Sequence, residues 1–201
     1  MTIRSFIAIP IAKPLRDELG DAAAQMAYQD KSNAVRWVDQ KNYHITLAFL
    51  GDQDQLDLEA LADQLDRNLS SEPFSLTVSH CSPFPESRPK LIAAMVGSDD
   101  ALTKLHRQVQ SAITVSSLLV DKRRFIPHIT LGRYRHSRNR FAGSLASSLS
   151  LVDQVNEVCL YESTLSSAGA EYEVIFRFPF DEYEYDELDY SLMDKTLGRE
   201  T

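Results

Sequence analysis

One four-residue pattern occurs twice in this chain and constrains the fold more than any other feature. The two copies are His44-Ile45-Thr46-Leu47 and His128-Ile129-Thr130-Leu131, and their histidines lie 84 positions apart. β-Branched and aromatic residues dominate the sequence around both copies, and polar and apolar residues alternate, which predicts two strands. Because the spacing is close to half of the chain, we expect two similar lobes that each contribute one copy.

Side chains alternate between the two faces of a strand, which divides each copy into a polar row and an apolar row. His44 and Thr46 are predicted to share one face, as are His128 and Thr130. The alternation predicts this apolar row on the opposite face: Ile45, Leu47, Phe49, Ile129 and Leu131. A lone histidine in a strand is usually structural, but two matched copies favour chemistry. Each lobe is therefore expected to present an imidazole and a hydroxyl to a shared cleft.

The bulk composition is that of an ordinary globular protein. The chain has 201 residues, of which 43% are hydrophobic and 25% are charged, enough for one domain or two small lobes with a core. No apolar run approaches the roughly 20 residues of a membrane helix, and residues 1–10 lack the apolar segment of a signal peptide. Cys81 and Cys159 form neither a disulfide framework nor a metal-ligand spacing. We expect a cytoplasmic protein that does not bind membranes.

The net charge of −8 is distributed very unevenly along the chain. Residues 181–201 hold eight acidic and two basic residues, which predicts an acidic, loosely structured tail. Residues 122–140 hold seven Lys and Arg residues and no acid. A basic run is usually just a solvated surface. Here it surrounds the second His-x-Thr copy, which favours an anionic substrate.

The rest of the chain is predicted to alternate between strands and helices. Apolar periodicity predicts three helices, over residues 14–28, 54–69 and 99–113, and a short helix within 138–149. Alternating patterns predict strands, besides the two motif strands, over residues 3–11, 36–38, 74–80, 91–96, 155–161 and 172–180. Residues 1–180 are expected to form a single two-lobed domain. The proline-rich segment 83–90 is the expected crossover between the lobes.

Two histidines that face one cleft fit general acid-base catalysis better than metal binding. A zinc site needs three or four ligands, and neither motif has a second His or Cys nearby. No Gly-x-Ser-x-Gly stretch is present to signal a serine triad. In phosphodiester hydrolysis one neutral imidazole takes a proton from water, and one imidazolium gives a proton to the leaving oxygen. Both roles suit neutral pH because the pKa of an unperturbed histidine is near 6.5. Threonine hydroxyls can donate to the phosphate oxygens.

These residues resemble a known family, the two-histidine phosphoesterases, and within it the RNA 2′,3′-cyclic phosphodiesterases once called 2′-5′ RNA ligases. The resemblance covers nearly the whole chain up to about Phe180 and rests most specifically on the doubled His-x-Thr. The other matching segments are 6–10, 36–38, 48–51, 84–85, 88–89, 127 and 160–163. It implies an α+β fold with two pseudo-symmetric lobes of antiparallel sheet, outer helices and a central cleft. It also implies metal-independent hydrolysis without a cofactor, opening a terminal 2′,3′-cyclic phosphate to a 2′-phosphate.

The resemblance also implies roles for particular residues. His44 would donate a proton to the 3′ oxygen, and His128 would accept one from water. Thr46 and Thr130 would bind the phosphate, and Arg133 matches a basic position near the phosphate. Strict alternation places Arg133 on the face opposite His128, so that role requires a bulge, a strand end or a neighbouring edge.

Two aromatic side chains are candidates for stacking on a base. Phe49 and Tyr134 both lie in motif strands, close to the histidines in sequence. Aromatic rings stack on exposed nucleobases, although an aromatic residue in a strand is more often part of the core. We therefore predict that these two rings bind substrate if they face the cleft.

The residues leave several alternatives open. The expected partner is an RNA or nucleotide with a 2′,3′-cyclic phosphate end, and the protein is expected to be a monomer. The same machinery would suit the cyclic phosphate of a small nucleotide or of ADP-ribose, or 2′-5′ linked oligonucleotides. Reverse 2′-5′ ligation is also compatible with it. A module that binds RNA ends without turnover is the alternative from another class, although binding alone needs no acid-base pair.

Overall fold

The computed structural model describes residues 2–120, 124–136, 140–146, 149–166 and 169–180. The acidic tail predicted for residues 181–201 lies outside these ranges, as do Lys122, Arg123 and Arg138 of the basic stretch. None of the described helices is long and apolar enough to span a membrane.

The described chain contains three α-helices, one short 3₁₀ helix and nine strands. The helices are α1 (Lys13–Gln29), α2 (Gln55–Asn68) and α3 (Asp100–Val115), and the 3₁₀ helix is Gln40–Asn42. The strands are β1 (Thr2–Pro10), β2 (Val35–Trp37), β3 (His44–Asp54), β4 (Phe74–Phe84), β5 (Leu91–Val96), β6 (His128–Tyr134), β7 (Leu151–Val155), β8 (Glu157–Ser166) and β9 (Gly169–Pro179).

All nine strands belong to one antiparallel sheet that divides into two halves. The order is β7-β4-β5-β6-β3-β1-β8-β9, and β2 pairs with the C-terminal part of β6, on the same edge as β3. The halves meet where β3 pairs with β6, at Ile45 and Ile129. The predicted α+β class with two pseudo-symmetric lobes is confirmed.

The two halves repeat the same unit, and this repetition is visible in the strand register. In the first half, Ala8 of β1 pairs with Thr46, and Pro10 pairs with His44. In the second half, Ala93 of β5 pairs with Thr130, and Met95 pairs with His128. A strand followed by a helix opens both units, as β1-α1 and as β5-α3. The motif strand therefore has an equivalent neighbour in each half.

The helices cover the face of the sheet opposite the histidines. Helix α1 begins at Lys13-Pro14, where a proline suits the first turn, and buries Leu15, Leu19 and Met26. It packs against β2, β6 and β7 of the second half, whereas α2 and α3 pack against β3 of the first half. Asp99 caps α3, because its carboxylate accepts a hydrogen bond from Leu102 N at 2.7 Å. One apolar core lies between this helical layer and the sheet.

Three predictions about the elements need correction. Residues 85–90 join β4 and β5, which are neighbours in the second half, so the chain enters that half before β4 rather than at 83–90. The short helix predicted within 138–149 is absent from residues 140–146 and 149, which the structure describes as irregular. The strand predicted from residue 155 is two strands, β7 and β8, separated by Asn156. Local periodicity did not signal β7 because the inward-facing position at its centre is Asp153, a buried carboxylate that accepts a hydrogen bond from Ala12 N at 3.0 Å.

Candidate active site

The two His-x-Thr copies meet at the junction of the two halves. His44 is the first residue of β3 and His128 is the first residue of β6. Since these antiparallel strands pair at Ile45 and Ile129, His44 falls opposite Thr130 and His128 falls opposite Thr46. Four polar side chains thus converge on the open face, while the isoleucines between them are fully buried on the other face. Within residues 44–47 and 128–131, the structure has the polar row on the open face and the apolar row on the other face, as predicted.

Both histidines are oriented in the same way by the backbone that precedes them. The Nδ1 atom of His44 lies 2.8 Å from Asn42 O, and the Nδ1 atom of His128 lies 2.7 Å from Ile126 O. A carbonyl only accepts, so each Nδ1 carries the proton and donates it. The Nε2 atom of each neutral ring is then left to accept a proton. For His44 it lies 3.1 Å from Thr46 Oγ1, which donates to it.

Each motif strand carries a β-bulge directly after its threonine. The pairing of β3 with β1 shifts by one residue at Leu47, and the pairing of β6 with β5 shifts at Leu131. Leu47 and Ala48 are therefore both buried, as are Leu131 and Gly132. A bulge inserts one residue without a partner and so reverses the alternation beyond it.

The bulges correct the predicted positions of two side chains. Strict alternation assigned Phe49 and Arg133 to the face opposite the histidines, and that assignment is wrong. Phe49 pairs with Phe6 and is 58% exposed, and Arg133 pairs with Leu91 and is exposed. Each lies three residues after its threonine, on the cleft face. The bulge that a phosphate-binding Arg133 required is present, and the equivalent position of the other half holds an aromatic ring.

Tyr134 does not reach the cleft. It lies opposite Val35 on the core side of β6 and packs against the buried cluster. Its predicted role in stacking on a base is therefore not supported, since the bulge that turns Arg133 toward the cleft turns Tyr134 away from it.

Aromatic rings that the sequence interpretation missed lie beside both imidazoles. The Phe6 ring centroid lies 4.8 Å from that of His44, 5.0 Å from Tyr161 and 4.9 Å from Tyr172. In the second half, the ring centroid of Phe84 lies 4.4 Å from that of His128. Phe6, Phe84 and Tyr161 lie in segments that carry the family resemblance, but the contacts of these rings with the imidazoles were not predictable without the sheet order.

The cleft disfavours positive charge on both histidines. Burial lowers the pKa of His44 from 6.5 to about 4; the hydrogen bond to Asn42 O raises it, and Arg133 and His128 lower it. Burial also lowers the pKa of His128, opposed by the hydrogen bond to Ile126 O and reinforced by Arg133. Both imidazoles are therefore mainly neutral at pH 7 in the free protein. An anion in the cleft would favour their charged forms.

This electrostatic arrangement can be tested by nuclear magnetic resonance. We expect the His44 ring signal to titrate with a midpoint of about 4 in the free protein. Inorganic phosphate should raise the midpoint, because a nearby anion stabilises imidazolium. The signal is assigned by its loss in His44→Asn. A midpoint at or above 6.5 without phosphate would contradict the buried environment beside Arg133.

Metal ligands do not cluster in the part of the chain that the structure describes. Those residues contain no group of three or more His, Cys, Asp or Glu side chains that could hold an ion. Cys81 and Cys159 are both free and buried. Among the described residues, Arg133 and the imidazolium forms can neutralise an anion in the cleft, and the threonine hydroxyls can donate hydrogen bonds to it.

Two pseudo-symmetric half-sheets that bring two His-x-Thr pairs to one cleft define the class of two-histidine phosphoesterases. Comparison with known proteins agrees with this class: residues 14–164 match the family model of the 2′-5′ RNA ligase superfamily. The chain belongs to the 2′-5′ RNA ligase superfamily.

Two relatives with assigned functions share one name. The RNA 2′,3′-cyclic phosphodiesterase of Geobacillus stearothermophilus is 31% identical over 183 residues, which is 87% of this chain and 56% of that protein. The protein of the same name from Thermotoga maritima is 26% identical over 184 residues, covering 89% of this chain and 96% of the relative. The chain thus spans little more than half of the first relative and almost all of the second.

Solved structures share the fold. Escherichia coli LigT complexed with 3′-AMP has a TM-score of 0.76 and 24% identity, covering 90% of this chain and all of LigT. TT0787 of Thermus thermophilus has a TM-score of 0.73 and 22% identity, covering 88% of this chain and 97% of that chain. These likenesses extend over both halves of the sheet and the helical layer.

Proposed function

We propose that this protein hydrolyses the 2′,3′-cyclic phosphate at the end of an RNA to a 2′-phosphate, without a metal ion. The observation that carries the proposal is the convergence of His44, Thr46, His128 and Thr130 on one face at the junction of the halves. The shared name of the relatives supports the substrate. The converging set includes two acid-base groups, which a module that only binds RNA ends would not need.

In the proposed reaction each histidine handles one proton. His128 Nε2 accepts a proton from water as the water oxygen attacks phosphorus. The bond between phosphorus and the 3′ oxygen breaks, and that oxygen takes the proton from the Nε2 of charged His44. The 2′ oxygen keeps the phosphate. Solvent exchange then returns a proton to His44 and removes one from His128.

The pKa of His44 supports its role as the acid. Its pKa of about 4 makes the imidazolium a stronger acid than free histidine, which favours proton transfer to a departing alkoxide. The charged form must be recruited by the substrate, whose phosphate opposes the effects of burial and of Arg133. Thr46, Thr130 and Arg133 are proposed to donate to the non-bridging oxygens, where negative charge accumulates.

Phosphorus NMR of one reaction tests the proposal. With adenosine 2′,3′-cyclic phosphate and excess EDTA, we expect the cyclic signal to be replaced by that of the 2′-monophosphate alone. Formation of the 3′-monophosphate would contradict the proposed leaving oxygen. Loss of turnover in EDTA, restored by one added divalent ion, would contradict the metal-independent mechanism. A sample without protein controls for spontaneous hydrolysis.

We also propose a domain organisation, an oligomeric state and a cellular compartment for this activity. Both halves contribute to one site, so residues 1–180 are proposed to work as a single unit, with residues 181–201 as an appended tail. The site is built from one chain, which favours a monomer. The free, buried thiols of Cys81 and Cys159 suit a reducing cytoplasm. Ligation to form a 2′-5′ linkage would use the same groups and the same proton transfers, with a 5′ hydroxyl in place of water; cleavage of that linkage back to the cyclic phosphate would reverse them.

A further inference from the structure

The short strand β2 places a second arginine beside the proposed phosphate site. In the pairing of β2 with β6, Arg36 lies directly opposite Arg133. Directly opposite residues in an antiparallel pair share a face, with Cβ atoms about 4.5–5.5 Å apart. Arg133 is on the cleft face because of the bulge at Leu131, so Arg36 is on that face too. Both arginines are exposed.

The position of Arg36 is fixed by tight packing on the other face of the same strands. Val35 is buried and Trp37 packs against the core, on either side of Arg36. Both lie over Gly132, where an added Cβ would come within 2.5 Å of Val35 Cγ1 and 3.1 Å of Trp37 Cε3. The close approach of β2 and β6 thus depends on the missing side chain of Gly132. The flanking contacts prevent a one-residue slip that would turn Arg36 away.

Two like charges directly opposite each other are unfavourable in a sheet. The ion pairs among the described residues involve other bases, Lys13, Lys41, Arg67 and Arg177, and neither Arg36 nor Arg133. Arg133 is close enough to lower the pKa of both histidines. A pair of arginines without a carboxylate is compensated when anions bind, and guanidinium groups match phosphate geometry well.

We propose that Arg36 binds a second phosphate of the substrate, the phosphodiester that joins the terminal nucleotide to its neighbour. Arg133 serves the cyclic phosphate, and Arg36, on the strand that pairs with β6 beyond β3, serves the next phosphate along the RNA. This inference rests on the proposed function and narrows its substrate to oligonucleotide ends. Mononucleoside cyclic phosphates, which lack the second phosphate, are correspondingly poorer substrates.

The test compares kcat/KM for two substrates that share the same terminal adenosine cyclic phosphate. One is adenosine 2′,3′-cyclic phosphate, and the other is the diadenosine dinucleotide ending in that group. We expect the wild type to prefer the dinucleotide. Arg36→Ala should reduce the dinucleotide-to-mononucleotide ratio by about 10-fold or more, the usual scale for a lost hydrogen bond to a charged group.

A matched control separates local contact from general charge. Arg67→Ala removes the same charge from α2, on the helical side, and should keep the wild-type ratio. The plot of log kcat/KM for the dinucleotide against log salt should become shallower by about 0.7 in Arg36→Ala, as expected for one lost single-strand phosphate contact, and should not change in Arg67→Ala.

The possible failures are distinguishable. An unchanged ratio in Arg36→Ala, with both substrates turned over, would overturn this inference and leave the proposed function standing. An equal loss of kcat/KM on both substrates, which also leaves the ratio unchanged, would place Arg36 at the cyclic phosphate and overturn the inference. If the wild type turned over neither substrate, the proposed function would fail, and this inference with it.

Discussion

Replacing either cleft histidine is expected to lower kcat for adenosine 2′,3′-cyclic phosphate by at least about 100-fold, the scale of general acid-base catalysis. His44→Ala removes the proposed proton donor, and His128→Ala removes the proposed acceptor. Each substitution leaves water to do the work of a positioned imidazole. Steady-state kinetics at saturating substrate, with thermal unfolding to confirm the fold, provide the measurement.

A third histidine supplies the control for these variants. The His106 ring stacks on Phe125, with centroids 4.1 Å apart, and lies on α3 in the helical layer. His106→Phe removes an imidazole and keeps a ring at that position, so kcat should stay within about twofold of wild type. Wild-type turnover in a folded His44→Ala or His128→Ala protein would show that paired acid-base catalysis is the wrong mechanism.

The second large effect distinguishes the two histidines by their roles. With a p-nitrophenyl phosphodiester, the leaving group departs as a stable anion and needs no proton. His44→Ala should therefore recover most of its lost rate on this substrate, whereas His128→Ala should remain about 100-fold slow because water still needs a base. The release of nitrophenolate is followed by absorbance, and the ratio of rates on the two substrates is compared between variants.

The same comparison has an informative opposite outcome. Recovery of His128→Ala alone would exchange the two roles, with His128 as donor and His44 as acceptor. Equal recovery of both variants would indicate that neither residue donates to the leaving group. The double variant His44→Ala/His128→Ala should behave like His128→Ala on the activated substrate, since only the base is then missing from the reaction.

The core of the site could be predicted because its signals are local. The imidazole and hydroxyl of each motif are two residues apart, so the alternation of a strand alone places them on one face. The repetition of the pattern predicted two lobes, and periodic apolar residues predicted the three helices to within a few residues at their ends. These inferences required no knowledge of which strands are neighbours.

The rest of the site depends on pairing between residues that are distant in sequence. The shifts at Leu47 and Leu131 exist only relative to β1 and β5, and they decide where Phe49, Arg133 and Tyr134 point. A sequence pattern of alternating residues does not show an unpaired residue inserted into a ladder. Similarly, the position of Arg36 beside Arg133 was not predictable from local sequence, because it depends on Gly132, which lets β2 approach β6 closely.

The junction of the halves has a mechanical consequence. Ile45 and Ile129 form the described residue pair between β3 and β6, and the two histidines stand on either side of it. This pair would act as a hinge, because a small rotation of one half about it would directly change the distance between the imidazoles. Helix α1 acts as a brace against that rotation, since it starts from a strand of one half and packs on the other. The helical layer therefore contributes to the stiffness of the gap between the imidazoles from the face of the sheet opposite the histidines.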